Sequence, residues 1–386
     1  MALIDLAYLF FLLLCSPLIL VYLYNKELIS FANFKSWLGF VDYPELDKPV
    51  VFFTVSFGEF RNIAGMAERA SSCLVLSPDT ELVAHLKKNW ENLTRRVMLA
   101  PLDFSFAVGK MLDTVQPRKI VVSEVDLWPN LMLAAKKRYI PLFWLNVRLS
   151  NANRQLLRFF SLYRICLKNG NVYPKDELNQ RFLNEAGIIC RLPVNFKLLP
   201  GCVKVAHKEK LLIAGSTHFE DEKVLFAALR EIRKQGFRVA LAPRNVERCR
   251  QVLKDASNLG FTGKLLSSGE NWYGDFLLID RMGVLAEFYG RAQFAFVGGS
   301  FLNLGGHNIL EPAQAGCRVI YGPFMRNFAI ESELLERLRI GVKISDAAEL
   351  ISALESVVMP DWDGFDLAVY ENMKKYQALE AEILRK

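Results

Sequence analysis

The sequence predicts an α/β protein with two Rossmann-like, doubly wound domains, a cleft between them, and an N-terminal membrane helix. Three observations predict this fold class. The length of 386 residues favours two domains, short β-rich runs alternate with amphipathic stretches, and residues 6–24 contain no charge. Because 52% of the residues are hydrophobic, a disordered protein is excluded.

The uncharged run at residues 6–24 is long enough to cross a bilayer, since a helix of this length spans about 28 Å. A cleaved signal peptide or a lipobox ending at Cys15 would need a basic start, and the residues before the run carry only Asp5. We therefore predict a retained transmembrane anchor over residues 1–25. Lysines follow the run at positions 26, 35 and 48. The positive-inside rule then leaves the rest of the chain on the cytoplasmic side.

The β-rich runs form two series. The first contains VVFFTVS at 50–56, CLVLS at 73–77, KIVVSEV at 119–125 and LFWLNV at 142–147. The second contains LLIAGS at 211–216, RVALAP at 238–243, FLLID at 276–280, FAFVGGS at 294–300 and RVIYGP at 318–323. They predict one domain over residues 26–200, a second over 201–362, and a polar terminal helix over 363–386. In such sheets, ligands bind at the carboxyl ends of the strands.

Cysteine and histidine usage argues against structural metals and disulfides. The seven cysteines are odd in number and have no C-x-x-C spacing, and the four histidines have no metal-ligand pairing. We expect a reducing, cytoplasmic compartment and no protein-built metal site.

The stretch 297–323 contains two glycine-rich turns. Residues 298–300 (GGS) follow a predicted strand, and residues 305–308 (GGHN) lead into a predicted helix whose first turn contains Glu311. Glycines alone would only mark tight turns. Two glycine pairs together with Asn308 and Glu311 favour a nucleotide site, in which backbone N–H groups approach a phosphate and Glu311 accepts from a ribose diol.

Two further strand ends point to the same site. Ser216 and Thr217 follow one predicted strand and are expected to face the cleft, whereas the acidic run at 220–222 is explained by helix capping. Arg244 follows the next strand and could meet a phosphate or a base edge, although a surface arginine is the alternative.

Carboxylates follow two strands of the first domain. Glu59 begins a helix after Ser56 and Gly58, where the glycine is expected to permit a sharp turn. Glu124 lies at the end of the run at 119–125, and Asp126 directly follows that run. A carboxylate at such a position could remove a proton from an acceptor hydroxyl. The alternative is a helix N-terminal carboxylate with no reactive role.

Seven motifs in order resemble those of the bacterial 3-deoxy-D-manno-octulosonic acid (Kdo) transferases. They are SFGE at 56–59, SEVDLWPN at 123–130, NVRLS at 146–150, NFK at 195–197, GSTH at 215–218, PR at 243–244 and VGGSFLNLGGHNILEP at 297–312. The resemblance implies an inverting GT-B glycosyltransferase at the inner membrane that needs no metal or other cofactor. It would transfer Kdo from CMP-Kdo to a lipid A precursor, lipid IVA, in lipopolysaccharide core biosynthesis.

The resemblance also implies residue roles. Glu59 would be the general base and Glu124 a supporting carboxylate, with Ser56 and Gly58 on the acceptor side of an N-terminal acceptor domain. The C-terminal domain would bind CMP-Kdo, with Glu311 on the ribose. Its donor-binding residues would be Lys197, Ser216, Thr217, Arg244, Gly299, Ser300, Gly306, Asn308 and Glu311. Two alternatives stay open: a membrane-associated GT-B transferase using a UDP-sugar, and a non-catalytic GT-B-like binding protein.

The net charge of +7 is concentrated in one window, because residues 131–170 carry +8 and the rest of the chain sums to −1. The basic residues there include Arg148, Arg154 and Arg158. A solvated helix face would explain the window, and nucleic acid is not expected because no binding motif accompanies it. We predict that the window faces anionic inner-membrane lipids and a phosphorylated acceptor.

Overall fold

In the structure, a computed structural model, the chain folds into two compact units. It describes residues 4–6, 35–124, 128–149, 155, 157, 161–168, 170–201, 207–270 and 272–385. Unit 1 comprises Met1–Phe196 and Lys374–Lys386, and unit 2 comprises Lys197–Met373.

Unit 1 contains a six-stranded parallel sheet in the order β3-β2-β1-β4-β5-β6. The strands are β1 (Val50–Phe53), β2 (Cys73–Ser77), β3 (Val97–Leu99), β4 (Lys119–Ser123), β5 (Leu142–Val147) and β6 (Asn171–Pro174). The helices are α1 (Phe57–Arg69), α2 (Thr80–Asn89), α3 (Ser105–Val115), α4 (Pro129–Lys137), α5 (Ser161–Lys168) and α6 (Glu177–Glu185). Every residue of β1, β2 and β5 is buried, because helices cover both faces of the sheet.

Acidic side chains begin several helices of unit 1. The side chain of Asp79 accepts hydrogen bonds at the start of α2, and that of Asp103 accepts from the Asn130 and Leu131 amides of α4 at 2.9 and 2.8 Å. Asp5 accepts from the Ser105 amide of α3 at 2.9 Å. Carboxylates at these positions satisfy amides that have no partner within the helix.

Unit 2 contains a seven-stranded parallel sheet in the order β13-β12-β11-β7-β8-β10-β9. Its strands are β7 (Glu209–Thr217), β8 (Arg238–Pro243), β9 (Gly263–Leu265), β10 (Phe276–Leu278), β11 (Ala292–Val297), β12 (Arg318–Tyr321) and β13 (Gly341–Lys343). Its helices are α7 (Phe219–Lys234), α8 (Cys249–Asn258), α9 (Leu285–Arg291), α10 (Leu310–Gln314), α11 (Ala329–Arg337) and α12 (Ala347–Glu355). The core strands β7 and β11 are apolar and buried over most of their length.

The last helix, α13 (Trp362–Leu384), is shared by the two units. Its buried residues include Phe365 in unit 2 and Ile383 in unit 1. In unit 1, the Arg69 guanidinium pairs with Glu380 at 2.6 Å, and the Lys119 ammonium donates to the Glu382 carbonyl at 2.7 Å. The helix predicted at 363–386 is therefore an integral part of both cores.

The prediction of two parallel-sheet α/β domains is confirmed. All nine predicted strands are present, and among the described residues four short strands were missed: β3, β6, β9 and β13. In the described parts of the chain, no helix is long and apolar enough to cross a membrane. Of the predicted anchor at 1–25, the structure describes residues 4–6 only, and the anchor stays a prediction.

Candidate functional site

The carboxyl edge of the unit 2 sheet brings three predicted donor motifs together. The Arg244 amide, after β8, donates to the Thr217 carbonyl of β7 at 3.0 Å. On the other side of β7, the Gly298 amide donates to the Gly215 carbonyl at 3.0 Å. A Cβ at Gly298 would lie 2.5 Å from the Ser216 carbonyl oxygen, so only glycine lets these two loops touch.

The two hydroxyl residues that end β7 differ in exposure. Ser216 is partly exposed and has a φ of 54°, a left-handed conformation that is uncommon outside glycine and is enriched at functional sites. Thr217 is buried, and its hydroxyl donates to Glu222 Oε1 at 3.1 Å. The Arg248 guanidinium donates to both oxygens of Glu222, at 3.0 and 2.8 Å. The Thr217 hydroxyl is thus used inside the fold rather than facing a ligand as expected.

The Asp221 carboxylate has more hydrogen-bond partners at this edge than the sequence indicated. Its carboxylate is fully buried and accepts from the His218 and Gly299 amides at 2.8 Å each. It also accepts from the Ser300 amide at 3.4 Å and the Phe301 amide at 3.2 Å. Helix capping alone explained this carboxylate in the sequence, but the structure shows that it also binds the loop after β11.

The backbone amides of the glycine motif are bonded within the protein. Besides the Gly299 amide on Asp221, the Gly306 amide donates to the Gly299 carbonyl at 3.0 Å and the His307 amide to the Gly298 carbonyl at 3.2 Å. These amides were expected to approach a phosphate, and here they shape the loop instead. Gly306 has a φ of 79°, and a Cβ there would lie 2.5 Å from the Met325 sulfur.

Ser300 and Asn308 likewise bond to the protein itself. The buried Ser300 hydroxyl donates to the Val297 carbonyl and accepts from the Gly322 amide, both at 2.8 Å. Asn308 Oδ1 accepts from the Leu310 amide at 3.1 Å at the start of α10. Both side chains therefore hold the ends of β11 and α10 in place. Glu311 lies, as predicted, in the first turn of α10 and is partly exposed.

Two histidines meet at this edge. His218 Nε2 and His307 Nε2 are 2.9 Å apart, and the planes of the two rings are nearly parallel, with an interplanar angle of 14°. Burial is the main cause that lowers the pKa of His307 to about 4. The neighbouring positive charges of His218, Arg244 and Lys197 lower it further. Each histidine was visible in its own motif, but nothing in the sequence signalled that they pair.

Lys197 lies at the first residue of unit 2, with its ammonium 4.5 Å from the centre of the Phe328 ring. Since it also acts on the pKa of His307, it belongs to the same group of cations as Arg244. The structure therefore brings together Lys197, Ser216, Arg244, Gly299 and Gly306 of the predicted donor residues.

In unit 1, Glu59 lies at the start of α1, directly after β1. The Ser56 hydroxyl accepts from the Glu59 amide at 3.2 Å and donates to Glu59 Oε1 at 3.1 Å. The Val55 amide donates to Glu59 Oε2 at 2.8 Å. The carboxylate is partly exposed, and donors on both of its oxygens contribute to its orientation.

Gly58 does not make the sharp turn expected of it. It is the second residue of α1, and its φ is not in the left-handed region. A Cβ at Gly58 would meet only the Ser56 hydroxyl oxygen, at 3.9 Å. The helix begins at this point because Ser56 caps it, so the backbone does not require a glycine here.

Glu124 lies at the end of β4, the strand next to β1. Ser123 donates from its hydroxyl to the Glu59 carbonyl at 3.3 Å, so the two carboxylate residues occupy adjoining strand ends. Asn146 Nδ2 donates to Glu124 Oε1 at 3.3 Å. Glu124 and the buried Asn146 have φ values of 60° and 55°, a strained backbone of the kind that clusters at functional sites. Asp126 lies outside the described residues.

The predicted basic surface is described only in part. Arg148 is exposed just after β5, while Arg154 and Arg158 lie outside the described residues. Arg138 of the same window pairs with Asp113 at 2.8 Å. The membrane-facing role of this window stays a prediction.

Within the described residues, no group of three or more His, Cys, Asp or Glu side chains is arranged to hold a metal ion. The five cysteines that the structure describes are free thiols. The described strand ends present carboxylates in unit 1 and cations in unit 2.

Known proteins resemble this chain in sequence. Residues 32–196 match the family model described as 3-Deoxy-D-manno-octulosonic-acid transferase (kdotransferase). The chain is 29% identical over 265 residues to the 3-deoxy-D-manno-octulosonic acid transferase of Aquifex aeolicus (strain VF5), covering 67% of this chain and 70% of that protein. It is 28% identical over 340 residues to the protein of the same name from Chlamydia pneumoniae, covering 80% of this chain and 76% of that protein.

A solved structure resembles the fold. The glycosyltransferase from Rickettsia africae ESF-5 aligns with a TM-score of 0.56 at 14% identity, covering 88% of this chain and all of that one. At this identity the likeness concerns the fold alone. It agrees with two parallel-sheet α/β domains of the kind found in GT-B glycosyltransferases.

Proposed function

We propose that this chain, a glycosyltransferase related to the Kdo transferases, transfers Kdo from CMP-Kdo to a lipid A precursor of the lipid IVA type, with inversion at the anomeric carbon. The reaction would belong to lipopolysaccharide core biosynthesis. The observation that carries the proposal is the Glu59 carboxylate, partly exposed at a strand end and oriented by the Ser56 hydroxyl and the Val55 amide. It lies within the region that matches the Kdo transferase model.

Glu59 acts in this proposal as the general base. Its carboxylate removes the proton from the acceptor hydroxyl while that oxygen bonds to the anomeric carbon of Kdo. The bond from this carbon to the donor phosphate breaks, and its electron pair leaves with CMP. Because the Ser56 and Val55 donors hold the carboxylate in one orientation, little reorganisation is needed when it accepts the proton.

Glu124 assists on the acceptor side. Asn146 donates to its carboxylate, and the strained backbone of both residues fixes that carboxylate at the strand end beside Glu59. An acceptor hydroxyl that donates to Glu124 would be oriented before its proton is removed. Ser56 orients the base, and Arg148 supplies a positive charge for a phosphorylated acceptor.

The cations of unit 2 act on the donor. Lys197 and Arg244 supply positive charge near the paired histidines, which favours a bound phosphate and stabilises the charge that develops on CMP as it leaves. Glu311 accepts from the ribose diol. The partly exposed Ser216 contacts the donor, and Gly299 and Gly306 give the loop its shape. Thr217, Ser300 and Asn308 position these groups through their bonds within the fold.

The proposal includes an inner-membrane location with the catalytic units on the cytoplasmic side. Its support is the uncharged run at 6–24 and the basic window at 131–170. Alkaline extraction of membranes that carry the full chain tests it, because an inserted anchor keeps the protein in the membrane fraction. Release of the protein would contradict the anchor.

Mass analysis of the lipid product tests donor, acceptor and number of additions together. The purified full chain is incubated with a tetraacylated lipid A precursor and either CMP-Kdo or a UDP-sugar. We expect a mass increase of whole Kdo units with CMP-Kdo only. Addition of a sugar from the UDP donor alone would favour the other GT-B reaction, and no transfer from either donor would favour a binding protein.

The base is tested by Glu59→Gln, which we expect to lower kcat by about 10²- to 10⁴-fold. The control is Glu68→Gln, an exposed glutamate of the same helix, which should retain the wild-type rate. Undiminished transfer by Glu59→Gln would remove the base from this mechanism.

A further inference from the structure

The pair formed by His218 and His307 has no role in the mechanism above. Its Nε2 atoms are 2.9 Å apart, so one ring donates a hydrogen bond and the other accepts it. The ring planes are nearly parallel and the ring centres are 5.1 Å apart, as an end-to-end hydrogen bond requires. A Cβ at Gly299 would lie 2.6 Å from His307 Cδ2, so the glycine loop packs directly against the pair.

The number of protons that the pair can hold follows from its geometry. In the neutral pair, one Nε2 carries a hydrogen and the other Nε2 has a free lone pair. One added proton goes to the Nδ1 of the donating ring, and the hydrogen bond persists. A second added proton would place two N–H groups face to face and break the bond. The pair can therefore take up one proton without losing its structure.

The surroundings of the pair oppose a proton on His307 as long as no anion is bound. Burial lowers the pKa of His307 to about 4, and the positive charges of His218, Arg244 and Lys197 contribute to this lowering. The Asp221 carboxylate, which accepts from the His218 amide, is engaged by three further amides. Glu222, the next residue of the same helix, pairs with Arg248 at 2.8 Å. The described groups that face the pair thus leave a positive region next to a neutral imidazole.

We propose that the His218–His307 pair takes up one proton when the phosphate of the nucleotide binds beside Lys197 and Arg244. The phosphate reverses the sign of the local field, so that an imidazolium becomes favourable where it was opposed. The added positive charge then contributes to holding the phosphate. The two histidines act as positioning and charge-compensating residues, and this inference rests on the proposed donor site of unit 2.

Isothermal titration calorimetry with CMP tests the proposal on the full chain at pH 7.5. At this pH the phosphate of free CMP is mainly a dianion, since its second pKa is about 6. Titrations in two buffers with different ionisation enthalpies give the number of protons taken up. We expect a net proton uptake for the wild type, because a nearby opposite charge raises the pKa of an imidazole by about 1–3 units. As a consequence, the Kd should rise between pH 7 and 8, by at most about tenfold per pH unit.

Two variants and one control identify the source of the proton. His218→Gln and His307→Gln each keep a donor and an acceptor at the site but remove a titratable group. For both we expect proton uptake close to zero and a Kd that changes less than about twofold over the same pH range. His207→Gln, an exposed histidine outside the pair, should behave as the wild type.

The outcomes separate this inference from the proposed function. CMP binding with the same proton uptake in wild type and both variants would overturn the role of the histidines and leave the donor assignment intact. If UDP binds and CMP does not, the assigned donor is wrong, and the proton count with UDP decides the role of the pair. If neither nucleotide binds, both proposals are wrong.

Discussion

Replacement of Asp221 by asparagine should destabilise unit 2 and loosen the glycine loop. The buried carboxylate accepts four amide hydrogen bonds, two through each oxygen. Asparagine has almost the same volume but only one acceptor oxygen. With that oxygen on the His218 and Gly299 amides, the new NH₂ group would face the amides of Ser300 and Phe301.

The size of the effect follows from the donors that lose their partner. A buried donor without a partner costs about 1–3 kcal/mol. Because the hydrogen bonds from the Ser300 and Phe301 amides are long, at 3.4 and 3.2 Å, we take the lower end of this energy range for each amide. We expect a loss of about 2–3 kcal/mol, and for a domain of this size each kcal/mol lowers the Tm by about 2–4 °C. The transition of unit 2 should therefore move down by about 4–12 °C.

Differential scanning calorimetry of the full chain measures this change at pH 7.5. Glu220→Gln is the control, because Glu220 lies in the same helical turn but pairs with Lys223 at the surface. An exposed pair of this kind contributes less than about 1 kcal/mol. If Asp221→Asn lowered the Tm no more than Glu220→Gln, the reasoning about the four amides would be refuted. The Kd for CMP should rise together with the loss of stability, because the Gly299 loop would no longer be held by the Asp221 carboxylate.

Four further predictions follow from individual residues. Between pH 6.5 and about 4, the unfolded chain binds a proton at His307 that the folded chain does not. The free energy of unfolding should therefore fall as the pH falls through this window, and it should fall less in His307→Gln. If urea titrations gave the same pH dependence of this free energy for both proteins, the prediction would be wrong. Ser216→Gly should raise stability by about 1 kcal/mol, because it removes a left-handed non-glycine residue, while weakening CMP binding; unchanged binding in calorimetry would remove Ser216 from the donor site. Glu124→Gln should raise the KM for the lipid acceptor more than it lowers kcat, and steady-state kinetics showing the reverse would assign Glu124 to the chemical step. Transfer should continue after EDTA treatment, and a loss that Mg²⁺ restores would mean that a metal takes part.

The strands could be predicted where the pattern was strong. β5 and β8 were predicted with their observed bounds, because fully buried strands of parallel sheets are continuous apolar runs between turn signals. The short strands β3 and β13 were missed, since three-residue segments at the edge of a sheet carry no periodicity of their own. Such strands form because a neighbouring strand offers hydrogen bonds, and this partner is not visible in the local sequence.

For the candidate site, the positions of residues at strand ends were predicted, but their contacts with distant residues were not. The positions of Glu59 and Glu124 at strand ends followed from the order of strands and turns, whereas only the structure showed that these two strands are neighbours. Asp221 was predicted only as a helix cap, since its other partners lie 78–80 residues further along the chain. The orientation of the Thr217 and Ser300 hydroxyls into the fold was not predicted either, because Thr217 bonds to Glu222 of α7 and Ser300 also accepts from Gly322 after β12.

By itself, the sequence determined the longer strands of both sheets, and which loops hold the carboxylates, hydroxyls and glycines. Those properties depend on local periodicity and turn chemistry, which a linear pattern records. The tertiary structure alone decided that His218 meets His307 across 89 positions and that one buried carboxylate binds two loops. The reason is physical: hydrogen bonds and charge interactions act over a few ångströms in space, and only the packing of the parallel strands determines which distant residues come that close.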